Sequence, residues 1–302
     1  MSRMMMPKFN KSSPESPQNM VLEHLPSVPV LLSMAAFQSA SFRPGDKLPG
    51  LTSEVLSVVI DPDHVQHYRQ VCGFLQSQYL PETYLQMLAF PLLLKLMVHD
   101  DFPVKVIGLV HLRNRITVHK PMGLAQKFRM LASVGDSRVV SAGLEWDIDT
   151  KVTVDGELIW SSTSVFLHRY KTDVPRQRVS TTQHSGTPEY WPVNADIGRR
   201  YSRVSGDYNP IHLSDITAKM FGFKHAIAHG MWTKARCVAA LRENLPSAPY
   251  CIDVEFQRPL FLPSGVMFFQ HMESDLRHFS VFNQQTGHAH LRGQIKGYCD
   301  GD

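Results

Sequence analysis

The segment YSRVSGDYNPIH, residues 201–212, sets a carboxylate, Asp207, and an imidazole, His212, on a stretch of chain made to turn. Ser205, Gly206 and Asp207 are turn-prone. Asn209-Pro210 breaks whatever precedes it, and Pro210 suits the start of a helix that carries His212 in its first turn. Asp207 then lies on the loop just before, and the turn brings both side chains over one small volume. The partial positive charge of the helix start favours the carboxylate. An acid and an imidazole held together suit the addition and removal of water. One polarises or deprotonates the water while the other delivers a proton to the neighbouring carbon. Burial raises a carboxyl pKa and lowers an imidazole pKa, which brings both toward working pH. Taken alone, the pair reads as a helix cap beside a surface histidine.

A second motif gives it weight. His229-Gly230-Met231 opens an apolar helix. The first N–H groups of a helix have no acceptor within it. Aimed at an acyl carbonyl, they would stabilise the oxyanion formed as the α-carbon gains or loses a proton. Gly230 has no Cβ, so a substrate can come close.

The elements that must position these residues come in two copies. HYRQVCGF (residues 67–74) resembles RYSRVSGD (residues 200–207), and LRNRITVHKPMG (residues 112–123) can be laid on VEFQRPLFLPSG (residues 254–265). Each copy has an apolar helical segment, at 84–98 and 231–245, followed by strand signals such as those around Asp155-Gly156 and Thr286-Gly287. A central helix followed by antiparallel strands is an α+β pattern. The expected organisation is a partly disordered leader at 1–45, with 1–19 its most polar part, a first copy at 46–170, a linker at 171–190 and a second copy at 191–302. In the first copy Phe74 falls where Asp207 stands in the second, and Phe90-Pro91 falls near the place of His229-Gly230. That copy is expected to have lost the chemistry and to leave room for a long acyl chain.

The run Tyr201-x-x-Val204-Ser205-Gly206-Asp207-x-Asn209-Pro210-Ile211-His212, followed by Ala228-His229-Gly230-Met231, resembles the signature of MaoC-type dehydratases and (R)-specific enoyl-CoA hydratases. The resemblance covers about residues 196–270. It implies a double hot-dog fold, long central helices wrapped by an antiparallel β-sheet. It also implies reversible hydration of a trans-2-enoyl thioester to a (3R)-3-hydroxyacyl thioester. Asp207 and His212 map to the catalytic dyad, Gly230 to the oxyanion glycine, and Asn209 to a support of the dyad loop. Many members carry a serine within the long helix; here Val238 replaces it. The competing readings are a hot-dog acyl thioesterase and a non-catalytic acyl-carrier-binding subunit.

Substrate contacts are expected from Tyr208, Asn209, His229, Met231, Trp232 and Arg258, with core packing an alternative for Tyr208 and Trp232. The expected partners are an acyl-CoA or acyl-carrier-protein thioester and, as an option, a second copy of the chain. With a net charge of +4 and no dense Lys/Arg block, nucleic acid is not implied. The apolar stretch at 28–37 is too short to span a bilayer, and a cytoplasmic location is expected. No cofactor or metal is anticipated. His225-x-x-x-His229 lacks a third ligand, His288-x-His290 reads as a strand surface, and Asp61, Asp63, His64 and His67 read as a helix start. Cys72, Cys237, Cys251 and Cys299 are expected to be free thiols.

Overall fold

The computed structural model describes residues 18–39, 41–176 and 186–297. The first half runs β1 (Gln18–Leu22), α1 (Val28–Phe37), β2 (Leu51–Val59), α2 (Pro62–Cys72), α3 (Tyr84–Met97), β3 (Val110–Val118), β4 (Lys127–Val140), β5 (Gly143–Val154) and β6 (Glu157–Arg169). The second runs β7 (Glu189–Val193), α4 (Ile197–Ser205), a 3-10 turn (Pro210–His212), α5 (Asp215–Met220), α6 (Gly230–Leu241), a second 3-10 turn (Arg242–Asn244), β8 (Tyr250–Phe256), β9 (Ser264–Glu273), β10 (Leu276–Asn283) and β11 (Ala289–Gly297).

The strands form one sheet in the order β1-β2-β4-β5-β6-β3-β8-β11-β10-β9-β7. β1 lies parallel to β2 at the edge, and the remaining pairings are antiparallel. Apart from the added edge strand β1, the order is symmetric about β3 and β8, where the halves meet. Across that seam Arg113 faces Glu255, the same two positions that the alignment of 112–123 on 254–265 superposes. Two copies related by a two-fold axis between antiparallel strands require this.

Strand alternation decides which face is covered. β5 buries Leu144, Trp146, Ile148 and Val152 while Asp147, Asp149 and Lys151 point the other way. That outer face carries cross-strand charge pairs, with Arg138 on Asp147 at 3.0 Å and Arg115 on Asp253 at 2.8 Å. The inner face wraps α3 and α6. In α3 the buried residues include Leu85, Leu92, Leu93, Leu94 and Leu96. Each buried leucine contributes about 1.5–3 kcal/mol. Together they outweigh the cost of about 3 kcal/mol expected for Pro91 within the helix.

Four expectations are corrected. Residues 18–39, placed within the partly disordered leader, belong to the fold: β1 pairs with β2, and α1 buries Val28, Leu31 and Ala35 against the core. Apolar spacing in so short a helix is visible only once α3 supplies its partner; residues 1–17 lie outside the described residues. Glu189 and Tyr190, placed in the linker, belong to β7, while 177–185 lie outside the described residues. Phe90-Pro91 lies mid-helix, and Thr83-Tyr84 begins the first central helix where His229-Gly230 begins the second. Cys72 and Cys237 are free and buried, but Cys251 is disulfide-bonded; sequence spacing does not show which strand ends lie side by side.

Candidate active site

α4 stops where Gly206 takes φ 71°, a left-handed conformation that costs other residues about 1–2 kcal/mol. Its N–H closes on the Ser202 carbonyl at 2.9 Å, and the reversed chain carries Asp207 back toward α6. Asp207 Oδ1 accepts the Asn209 N–H at 3.1 Å, and Asn209 Oδ1 accepts the Ile211 N–H at 3.4 Å. These two side-chain turns wind the chain into the 3-10 turn that ends at His212. The expected single helix from Pro210 is therefore two pieces. The 3-10 turn stops, Ser214 caps afresh by accepting the Thr217 N–H, and α5 begins.

The His212 ring is buried, and its Nδ1–H donates to the Ile227 carbonyl at 2.8 Å. A carbonyl only accepts, so Nδ1 holds the proton and Nε2 is left as the free basic atom. His229, the N-cap of α6, donates from Nε2 to the Asp207 carbonyl at 3.1 Å and lies 3.7 Å from its carboxylate. The His229 ring stacks on His212 with centroids 3.6 Å apart. The donor atoms of Asp207, His212 and His229 all lie within 4.8 Å of one another.

Burial sets the electrostatics. Desolvation raises the Asp207 carboxyl pKa, against the opposing pull of His212 and the Asn209 N–H. Desolvation likewise lowers the His212 pKa, opposed by Asp207 and the Ile227 carbonyl. His229 is lowered well below the usual imidazole value, first by burial and then by His212. The cluster could be taken for a metal centre. One nitrogen of each ring, His212 Nδ1 and His229 Nε2, is held on a carbonyl, and the near-parallel rings turn their in-plane lone pairs into separate planes.

Gly230 begins α6 and is exposed. The Thr233 N–H returns to the His229 carbonyl at 3.1 Å, so the N–H groups of Gly230, Met231 and Trp232 have no acceptor within the helix. A Cβ on Gly230 would lie 3.0 Å from two ring carbons of Phe256, tighter than the packing tolerates without movement. Phe256 is flanked at 5.0 Å by His111, which stacks on Phe166 at 4.8 Å. The first half thus helps to wall a site whose reactive groups come from the second.

The other expected contacts divide. Tyr208 is 42% exposed beside Asp207, and Met231 is half-buried against the core. His229 sits behind the Asp207–His212 pair. Trp232 is buried and donates to the Val71 carbonyl at 3.0 Å, which ties α6 to α2. Arg258 is exposed just past β8, with His288 at 3.5 Å. His290, read as strand surface, is buried on the Arg258 carbonyl. His225, read beside His229, turns to Asp215 instead. Phe256, His111 and the Ile227 carbonyl were not legible in the sequence, because a strand phenylalanine and a backbone oxygen carry no motif.

In the first half the corresponding ground is filled. Gly73 repeats the left-handed turn with φ 82°, but Phe74 follows it and stacks on Tyr68 at 6.2 Å. Tyr84, the first residue of α3, hydrogen-bonds His64 at 2.7 Å and meets Tyr68 edge-on at 5.3 Å. The segment from Gly73 to Thr83 has neither the histidine-bearing turn nor an α5. Aromatic rings pack around this turn in the first half.

The architecture is that of a double hot-dog protein with one elaborated half. A family described as "MaoC like domain" matches residues 174–288. The chain is 31% identical over 258 residues to 3-hydroxyacyl-thioester dehydratase X of Mycobacterium tuberculosis, covering 83% of this chain and 91% of that protein. The crystal structure of that protein, HtdX, superposes with a TM-score of 0.72 at 29% identity, over 82% of this chain and 100% of the other. A MaoC-like dehydratase from Phytophthora capsici shares the fold, with a TM-score of 0.65 at 17% identity, over 84% of this chain and 97% of the other. The chain belongs to the MaoC-like dehydratase family. Among the described residues no helix is long and apolar enough to cross a membrane.

Proposed function

We propose that this protein interconverts a (3R)-3-hydroxyacyl thioester and the trans-2-enoyl thioester plus water, with Asp207 and His212 as its acid–base pair. The observation that carries this reading is the tautomer imposed on His212. Nδ1 is committed to the Ile227 carbonyl, and Nε2 is free beside a carboxyl whose pKa burial has raised.

In the dehydration direction the thioester carbonyl accepts the Gly230 N–H. His212 Nε2 removes the proton from C2, and the electron pair forms the C2–C3 double bond as the C3–O bond breaks. Protonated Asp207 supplies the proton that turns the leaving hydroxide into water. Hydration runs the same transfers in reverse, and the pair carries one proton throughout. The carrier is coenzyme A or an acyl carrier protein, and exposed Tyr208 and Arg258 are the side chains proposed to meet its arm. One site per chain is expected, because Phe74 and Tyr84 occupy the counterpart positions.

The test is loss of the ultraviolet enoyl absorbance with crotonyl and longer trans-2-enoyl thioesters. Asp207→Asn and His212→Ala should abolish it. Release of free thiol with the enoyl group intact would instead establish a thioesterase.

A further inference from the structure

The first half has nothing like α5, and the proposed chemistry gives it no part. α5 bridges the two segments that hold His212. Thr217 Oγ1 donates to the Pro210 carbonyl at 2.7 Å on one side. On the other, Asp215 Oδ1 accepts the Ala226 N–H at 2.8 Å, one residue before the carbonyl that fixes the His212 ring. The helix is therefore rigidly placed beside the site.

Its outward face is nevertheless apolar. Ile216 and Met220, one turn apart, are each 78% exposed, and Phe221 and Phe261 add 41% and 37%. Phe261 lies 6.4 Å from the His225 ring, which Asp215 ties to the start of α5. Grouped exposed apolar side chains on a folded protein mark a contact surface. Lys219 shares the face of Ile216 and Met220, and Lys224 follows on the next loop. Both are exposed, and neither forms an ion pair among the described residues. Asp215, at the start of α5, has one oxygen on Ala226 and the other on His225, and its charge is felt by Lys219. The surface is thus an apolar knob with two lysines against one carboxylate, a net positive charge.

We infer that the Ile216–Met220–Phe221 face of α5, with Lys219 and Lys224, docks an acidic carrier protein that delivers the acyl thioester on a flexible arm. This rests on the thioester reading above and deepens it by choosing between the two carriers. A protruding apolar face matches the core of a protein–protein contact, and two lysines at its edge match an acidic partner. A free nucleotide would gain little from exposed Ile216 and Met220. A lipid surface would leave unexplained why the face stands on the short helix that braces the His212 segment.

The experiment compares one trans-2-enoyl chain carried on holo acyl carrier protein and on coenzyme A. It uses wild type, the double variant Lys219→Glu/Lys224→Glu, and Ile216→Ser/Met220→Ser. Each variant should lower kcat/KM for the carrier-protein substrate about tenfold or more and leave the coenzyme A substrate within about twofold. The wild-type preference should weaken with salt. Calorimetric titration with carrier protein bearing a saturated chain reads docking without turnover, and both variants should lose this binding. Equal effects on both substrates, or none on either together with unchanged titration, overturn the docking surface and leave the function standing. Absence of hydration on either carrier, with the titration as expected, overturns the thioester chemistry instead. Variants that lose binding to anionic phosphatidylglycerol vesicles yet keep carrier-protein kinetics and titration would assign the face to a lipid surface and overturn the inference.

Discussion

Gly206 and Gly73 offer a matched pair of perturbations, because the two halves use the same backbone turn for different ends. Both C-cap a helix in the left-handed region, at φ 71° and φ 82°. Alanine in that region costs about 1–2 kcal/mol. A Cβ at Gly206 would meet Val28 of α1 at 3.4 Å, and one at Gly73 would meet the flexible end of Arg236 at 3.4 Å. Neither contact adds much, so Gly206→Ala and Gly73→Ala should each lose about 1–2 kcal/mol. At roughly 2–4 °C per kcal/mol for domains of about 200 residues, that is a fall of a few degrees in Tm. Asparagine tolerates the conformation better, so Gly206→Asn should lose less than alanine. Activity should separate the two sites. At Gly206 the strained turn moves Asp207, and a displacement of about 1 Å at a reacting group can cost on the order of a hundredfold. At Gly73 the following residue is Phe74, and kcat should stay near wild type. Thermal unfolding and the enoyl assay on four proteins suffice. Similar losses of kcat in both alanine variants, with similar Tm, would refute the claim that only one half is catalytic.

Three further outcomes are expected. Asp207→Asn should abolish turnover yet raise Tm at neutral pH. The folded-state carboxyl pKa is raised, so holding the ionised form costs stability that is recovered as pH falls toward the unfolded carboxylate value; unfolding from pH 7 to pH 4 should show the gap between variant and wild type closing. In the dehydration direction the kcat/KM profile should keep its acid limb below the ordinary imidazole pKa of about 6.5, because burial lowers His212 and keeps Nε2 available to take the C2 proton; an acid limb at or above that value contradicts the assignment. Lys234→Met should destabilise by about 3 kcal/mol or more in chemical denaturation. The buried Lys234 Nζ, whose pKa desolvation pushes well below the usual lysine value, donates to the Asn114 carbonyl at 2.8 Å, Asn114 Oδ1 at 2.6 Å and the Ile252 carbonyl at 3.0 Å, and each acceptor left bare costs about 1–3 kcal/mol.

The sequence by itself determined the reactive types and the architecture. Asp207, His212 and Gly230 stand in a local pattern of turn, break and helix start, and such patterns are written in consecutive residues. Central helices and alternating strands were equally readable, because apolar periodicity is local, and the repeat alignment made Arg113 and Glu255 equivalent positions but did not by itself make them strand partners. Only the tertiary structure decided the protonation of His212, since the acceptor that fixes it is a backbone carbonyl at Ile227 with no side-chain signature. It decided as well that Phe256, His111 and Phe166 stand around Gly230, because strands from both halves must first pair. The assignment of β1 and α1 to a leader, and the alignment of Phe90-Pro91 with His229-Gly230, failed for the same reason. A short apolar segment says what it can bury, and only its neighbours in the fold say where.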